Sequence, residues 1–436
     1  MRRRALMAVG LAALACAAAS SAAPSSVSTQ ELTVTGSGGV QLACGLTLPT
    51  GSPPAGGWPG LLLFPGFFPH AFLERLAETT FAPAGFASLA CDERGTGSSG
   101  GSADLAGPAD VADARALFDW LAARPDVSDT EIGAYGESAG GAEVWNAAVA
   151  GVPFKAIVPV DTWTSLGEAL DPHGVAKGIT LGAFSSIGPN DPAALAARSS
   201  RAQLHSLSVP TFMIQDRRDL DFDLDQATAA YKLLAGPKHL YIGIVDLGNP
   251  AHPSHAMPEV VAWFRQYLAS GPAVGGGVEL EHTPWDGATT SFAALPPTRY
   301  VSVNLPGTTR LFRKGSVERS VRPPGGPLET FGDGSLTVRY AGASKGWPEL
   351  VAVVTFSRNH SFVIQGAAPI GAAAGVVKIP LLDESGLLLR GKRVRVTLYS
   401  GYESGIFVAA APPPDARMTV ERMTLNLSVL QHAVSR

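Results

Sequence analysis

The chain has 436 residues, 46% hydrophobic and 16% charged, with a formal net charge of −4. That length exceeds one ordinary core and implies two domains, and the composition leaves no room for extensive disorder. With no sustained Lys/Arg block after residue 4, nucleic acid and a polybasic membrane patch are excluded as partners; a small molecule or a peptide is expected.

The opening "MRRRALMAVGLAALACAAASSAAPSS" runs from a basic cluster through an apolar stretch into small residues, the order of a secretory signal. Residues 1–23 are assigned to it, with cleavage near Ala22 or Ala23, and the mature protein is expected to be exported. The apolar run is too short to span a membrane, and no later segment has about 18 uninterrupted apolar residues. "ALAC", ending at Cys16, loosely resembles a bacterial lipobox, so lipid anchoring is the alternative. Removal of the signal leaves Cys44 and Cys91, either bonded in an oxidising compartment or buried as free thiols.

From about residue 30, strands and helices alternate. "GVQLACGLTLP" and "GLLLFPGFF" read as strands, and "FASLACDERGTGSSGG" as a strand entering a glycine-rich turn. In "ADVADARALFDWLAARPD", Val111, Ala114, Leu117, Phe118 and Leu121 fall on one helical face that stops at Pro125. The strand "EIGAYG", a helix from about Ala139 and the strand "FKAIVPVD" follow. Residues 162–207 are too long for a simple connection and read as a small lid. Alternation resumes through "VPTFMIQD", "DQATAAYKLLAG", "HLYIGIVD" and "MPEVVAWFRQYLAS". This is an α/β domain, 24–270, with a mostly parallel sheet covered on both faces. A linker is expected at 271–278, followed by an all-β sandwich or jelly roll over 279–436, where runs such as "YVSVNL", "ELVAVVTF" and "RVRVTLYS" replace the helical period.

"GAYGESAGG" places Ser138 in a G-x-S-x-G pattern between a strand and a helix, with Gly136 and Gly140 where a side chain would clash in a tight turn. This context makes Ser138 a candidate nucleophile; a small residue in an ordinary turn is the bland alternative. A serine nucleophile needs a histidine to take its proton and a carboxylate to orient that histidine, arriving in the order serine, acid, histidine after later strands. "DRRDLDFDLDQ" offers Asp216, Asp219, Asp221, Asp223 and Asp225, of which at least three are expected to be ordinary loop or helix-entry acids. Of nine histidines, His252 and His255 follow the next strand; His252, nearer the strand end, is preferred. The others, including His70 and His239, are expected to be surface or loop residues. Backbone N–H donors for an oxyanion are expected from Ala139 and from Phe67 in "FPGFFPH". Asp92 and Arg94 are expected to pair and brace their turn. No metal cluster or cofactor motif is found, so none is expected.

"DERGTGSSGG", "WLAARPDVSDTEIGAYGESAGG", "QDRRDLDFDLDQATAAYKLLAGPKHLYIG", "AHPS" and "AWFRQYL" together resemble the cocaine esterase/Xaa-Pro dipeptidyl-peptidase (peptidase S15) group of α/β-hydrolases. "ELVAVVTF", "VIQGA" and "LLLRGKRVRVTLYS" are similar to that group's C-terminal jelly roll, so the resemblance covers nearly all of the mature chain. It implies a serine hydrolase with Asp219 as the acid, Asp221 standing second. It also implies that the strands carrying Cys44 and Cys91 are neighbours, hence a disulfide between them. The group's oxyanion tyrosine has no counterpart in "FPGFFPHAF", and the lid is short for the dipeptidyl-peptidases' insertions. A carboxylesterase is therefore favoured over an Xaa-Pro peptidase; a catalytically silent binding protein on this fold is the reading from another class.

Overall fold

The computed structural model describes residues 27–435, apart from 183, 188–190, 246–253, 284, 357–362, 383–385 and 402–405. The expected signal segment with Cys16, and likewise His252 and His360, lie outside the described residues.

The first part is one ten-stranded sheet with helices on both faces. In chain order its elements are β1 (Ser28–Thr35), β2 (Gln41–Leu48), β3 (Trp58–Phe64), α1 (His70–Leu76), β4 (Ala87–Cys91), α2 (Pro108–Ala122), β5 (Val127–Glu137), α3 (Ala139–Val149) and β6 (Ile157–Val160). There follow α4 (Leu166–Leu170), α5 (Pro192–Ala196), β7 (Thr211–Asp216), α6 (Leu224–Leu233), β8 (Lys238–Gly243), α7 (Met257–Leu268), β9 (Gly277–Glu281) and β10 (Thr289–Phe292). The spatial order is β1-β2-β4-β3-β5-β6-β7-β8-β9-β10. It is parallel from β4 through β9 and antiparallel at both edges. The central strands are apolar on both faces, as covered parallel strands must be. Ala114, Leu117 and Phe118 of α2, Trp145 of α3 and Tyr231 of α6 bury against one face. Leu73 and Leu76 of α1 with Val260 and Phe264 of α7 cover the other.

Strand β2 lies antiparallel to β4 with Cys44 directly opposite Cys91. The two form a disulfide, with a Cα–Cα separation of 4.0 Å, the pairing implied by the resemblance. The glycine-rich stretch expected as a linker at 271–278 does not end the sheet: it joins α7 to β9, and β9 pairs in parallel with β8. The architecture changes only after Phe292, because Val278 and Leu280 extend the buried apolar pattern of the sheet.

The second part is a β-sandwich. One antiparallel sheet holds Thr298–Leu305, Arg417–Leu430, Gly334–Ala341 and Gly375–Leu381, with Thr309–Phe312 also paired to Arg417–Leu430. The other holds Ser316–Val321, Val394–Tyr399, Glu349–Thr355 and Val363–Pro369. Their inner faces share a core that includes Val301, Leu336, Leu350, Val396 and Leu425.

The sandwich is fused to the α/β part at three places. Phe331 and Leu430 join the main core. Arg217, just after β7, forms a buried ion pair with Glu329 at 2.8 Å. The lid segment pairs its backbone with the sandwich, Gly178 N–H donating to Ile406 O and Val408 N–H to Ala176 O. Beside this seam Val175 buries against Val351, Ala367 and Phe407.

Candidate active site

Strand β5 ends at Glu137 and α3 begins at Ala139; Ser138 between them has φ 53° and ψ −121°. A non-glycine residue there is strained by roughly 1–3 kcal/mol and persists only when its surroundings impose it. The surroundings are tight: a Cβ on Gly136 would lie 2.4 Å from Gly140 O, and one on Gly140 would lie 2.0 Å from Phe64 O. Both glycines are thus required by backbone crossing backbone, and the strand–turn–helix context expected around Ser138 is present.

The loop after β3 lies on the first turn of α3. Gly66, at φ 67°, has room for no side chain, since a Cβ would meet Glu137 O at 2.9 Å and Gly140 N at 3.0 Å. The following Phe67 therefore sits beside the start of α3, and its ring meets Phe184 of the lid edge-on at 5.9 Å. Phe184 also packs on Trp163, and Trp163 on Phe222.

These aromatics roof a cavity of about 580 Å³ lined by Ser138, Phe67, Phe184, Phe222 and the acidic loop after β7. The five aspartates of that loop separate by their partners. Asp216 is tied on both oxygens, accepting from Arg218 N–H at 2.7 Å and Val245 N–H at 2.9 Å, and so joins the ends of β7 and β8. Asp223 pairs with the buried Lys177 at 2.9 Å, and Asp225 lies in the first turn of α6. Asp219 accepts from Asp221 N–H at 2.8 Å and Phe222 N–H at 3.1 Å through Oδ1, and it lines the cavity with Ser138. Burial pushes its pKa up to about 7 against the pull of those two N–H groups. Asp221 also lines the cavity but is exposed.

Sequence reasoning missed Asp161. It follows β6 at φ 40°, is buried, lines the same cavity and accepts a hydrogen bond from Asp216 N–H. Burial, then the charges of Asp219 and Asp216, hold its carboxyl well above the usual range. Its only sequence signal was an acid at the carboxyl end of a strand beside the one that leads into Ser138.

His255 is engaged elsewhere. Its Nδ1 lies 2.8 Å from Oε1 of the buried Glu281, its side chain is 49% exposed, and it borders a different depression with Met257 and Val261. Three further expectations are corrected. Arg94 does not pair with Asp92: it makes two hydrogen bonds to Asp113 of α2 at 2.7 and 2.8 Å. The Asp92 carboxylate instead takes the N–H and ring Nδ1 of His70 and the N–H of Ser98. His70 is therefore bound rather than a free surface residue, and His239 is buried against Phe212. Among the described residues, three groups bring ligand-type atoms together: Glu31, His70 and Glu74; His239, Glu259 and Glu279; and Glu93, Asp110 and Glu143.

Residues 38–184, which carry Ser138 and the Phe67 loop, match the family model of the X-Pro dipeptidyl-peptidases (S15 family). Over that span the chain resembles the S15 peptidases. A CocE/NonD family hydrolase from Staphylococcus aureus superposes with a TM-score of 0.71 at 14% identity, covering 93% of this chain and 94% of its own. An α-amino acid ester hydrolase gives 0.69 at 12%, covering 93% and 97%. An aminopeptidase from a marine sediment archaeon, Thaumarchaeota archaeon, gives 0.68 at 14%, with the same coverage. These likenesses establish a shared two-part fold. No curated protein sequence matches the chain. Among the described residues, no helix is long and apolar enough to cross a membrane.

Proposed function

We propose that this hydrolase is an exported esterase that works through an acyl-enzyme, with Ser138, His252 and Asp219 as its triad. The observation that carries the reading is the strained Ser138 turn opening into a cavity that Asp219 also lines. The Ser138 Oγ attacks the ester carbonyl carbon while His252 takes its proton. The resulting oxyanion lies against the N–H groups of Phe67 and Ala139. Collapse breaks the carbonyl–alkoxy bond, the alcohol leaves with the proton from His252, and water repeats the sequence to free the acid and regenerate Ser138. Asp219, anchored through Oδ1, has Oδ2 to hold the imidazole.

Two features favour ester over Xaa-Pro amide. The loop "FPGFFPHAF" supplies no tyrosine hydroxyl to the oxyanion, leaving two backbone donors for the harder amide substrate. The lid is short, and its Phe184 and Ile179 give the cavity an apolar wall. The Cys44–Cys91 disulfide supports export. The proposed division is a signal at 1–23, a catalytic domain, and a sandwich beginning after Phe292.

A fluorophosphonate probe is expected to label the protein and not Ser138→Ala, and a p-nitrophenyl acyl ester is expected to turn over faster than an Xaa-Pro anilide. Equal labelling of both proteins would remove Ser138 from the chemistry, as a silent binding protein requires. Faster anilide cleavage would turn the assignment to the peptidase.

A further inference from the structure

Two consecutive acids at the carboxyl end of β4 reach across to the loop after β3. Strands β3 and β4 are parallel neighbours, with Leu63 opposite Ala90, so the loop that begins at Pro65 and the turn that begins at Asp92 leave the sheet side by side. The Gly66 N–H hydrogen-bonds to the Glu93 carboxyl. The His70 N–H donates to Asp92 Oδ1 at 2.7 Å, and the His70 ring Nδ1 lies 2.8 Å from the same oxygen. One acid thus holds each end of the stretch from Gly66 to His70, and Phe67 lies between the two holds.

Each acid is itself fixed. Asp92 is 2% exposed; its Oδ2 accepts from Ser98 N–H at 2.7 Å, its N–H donates to Ala43 O at 2.9 Å, and its carbonyl accepts from Ser99 Oγ at 2.7 Å. A Cβ on Gly97 would lie 2.0 Å from Asp92 Oδ2, so the turn wraps the carboxylate too closely for a side chain. Glu93 is buried, and its carboxyl hydrogen-bonds to that of Glu143 on α3, a contact that needs one proton between the two acids. Burial, with the charge of Asp110 beside Glu93 and of Glu93 beside Glu143, holds both carboxyls well above the usual range and keeps that proton in place. Glu93 therefore ties the Gly66 loop to the helix that follows Ser138.

A backbone N–H stabilises an oxyanion only if it is aimed before charge develops, about 2.7–3.1 Å from where the oxygen will stand. On the esterase reading, on which this inference rests, the donors are the N–H groups of Ala139 and Phe67. Ala139 is fixed by its helix, whereas Phe67 belongs to a loop and is 40% exposed, so the loop donor is the one that requires anchoring. We propose that Asp92 and Glu93 are positioning residues: they clamp the Gly66–His70 stretch at both ends and preset the Phe67 N–H relative to Ser138, with Glu143 setting the register to α3. Neither acid is among the described residues that line the cavity. Their effect therefore falls on the rate of the chemical step and not on ground-state binding of substrate.

The test is steady-state hydrolysis of a p-nitrophenyl acyl ester by the disulfide-intact mature protein and its variants, together with inhibition by two ketones of the same acyl chain. A trifluoromethyl ketone adds Ser138 to give a hemiketal oxyanion, whereas the corresponding methyl ketone resists that addition. Asp92→Asn removes one acceptor oxygen at unchanged size, and Glu93→Ala removes the acceptor for Gly66. Each should lower kcat roughly tenfold or more, where complete loss of one oxyanion donor costs about 10²–10³-fold, with KM held within about twofold. Affinity for the trifluoromethyl ketone should fall in parallel, and affinity for the methyl ketone should not. Glu93→Gln keeps an acceptor for Gly66 and a donor for Glu143, and should restore most of the rate. Parental kcat in both Asp92→Asn and Glu93→Ala, or equal losses toward the two ketones, overturns the clamp. Should Glu93→Ala fail to fold, the isosteric variants decide: parental kcat in Asp92→Asn, or a rate in Glu93→Gln no better than in Asp92→Asn, overturns it. A parent that a fluorophosphonate does not label at Ser138 removes the esterase reading, and the clamp with it, before any variant is compared.

Discussion

Replacement of Glu329 by alanine tests how the sandwich is joined to the catalytic part. Glu329 Oε1 accepts from Arg217 Nη1 at 2.8 Å and from Ser435 Oγ at 2.9 Å; Oε2 accepts the N–H groups of Val434 and Ser435 at 2.8 and 2.9 Å. The Arg217 side chain is 0% exposed and that of Glu329 1%. Removing the carboxylate takes the 2.8 Å counter-charge away from a fully buried guanidinium, which costs about 3–5 kcal/mol. Two stripped backbone N–H groups push the value toward the upper end. Burial alone would raise the Glu329 pKa, but the Arg217 charge and the Ser435 hydrogen bonds hold it below its ordinary 4.5. The stabilisation is therefore present above pH 4.5 and fades as pH falls through the lower folded value. Urea unfolding of parent and Glu329→Ala at pH 7 and again near pH 3 should give a gap of several kcal/mol that narrows in acid. Glu318→Ala serves as a control, because its partner Arg395 lies 3.4 Å away with the pair about half exposed; it should cost about 0–1 kcal/mol. A Glu329→Ala penalty no larger than the control's, or one unchanged at pH 3, refutes the reasoning.

Two other perturbations follow from the same geometry. Cys44→Ala/Cys91→Ala opens a bridge with a sequence separation of 47 and should lower stability by about 4 kcal/mol on the chain-entropy account; the parent treated with reductant after unfolding should lose a similar amount, and parallel urea curves check it. Glu137, held at about 7 in the fold by burial against an ordinary 4.5, contributes stability below pH 4.5 that is lost as pH rises to about 7, about 3 kcal/mol by linkage. Glu137→Gln keeps an acceptor for the Tyr135 hydroxyl and should be the more stable protein at pH 8, with the difference vanishing near pH 4; a flat difference across that range contradicts it.

The Ser138 turn was legible because its glycines are demanded by backbone contacts that leave a fixed spacing in the sequence. The acidic loop was legible only as a set. Asp216 and Asp223 are removed from candidacy by Val245 and Lys177, partners that sit 29 and 46 residues away, and no local spacing encodes them. Arg94 misled for the same reason: Asp92 is near in sequence, but its carboxylate is filled by His70 and Ser98, and Arg94 reaches Asp113 across to α2. The helical period located α2 yet took Val111 as part of its apolar face. Val111 is only partly buried, while Asp110 and Asp113 go inward, because the charges they meet come from elsewhere in the chain. The end of the sheet was misread since a glycine run signals chain freedom and not which strand comes next.

Lys177 gives the lid a different character from a door. Its fully buried ammonium holds the Asp221 carbonyl and the Asp223 carboxylate, while the adjoining backbone is laced to residues 406–408 of the sandwich. Swinging this segment outward would strand a charge in the interior and unzip an interdomain seam in one motion. The cavity wall that carries Phe184 is thus braced from both parts of the chain, and on the proposed esterase reading Phe184 gauges the acyl group admitted.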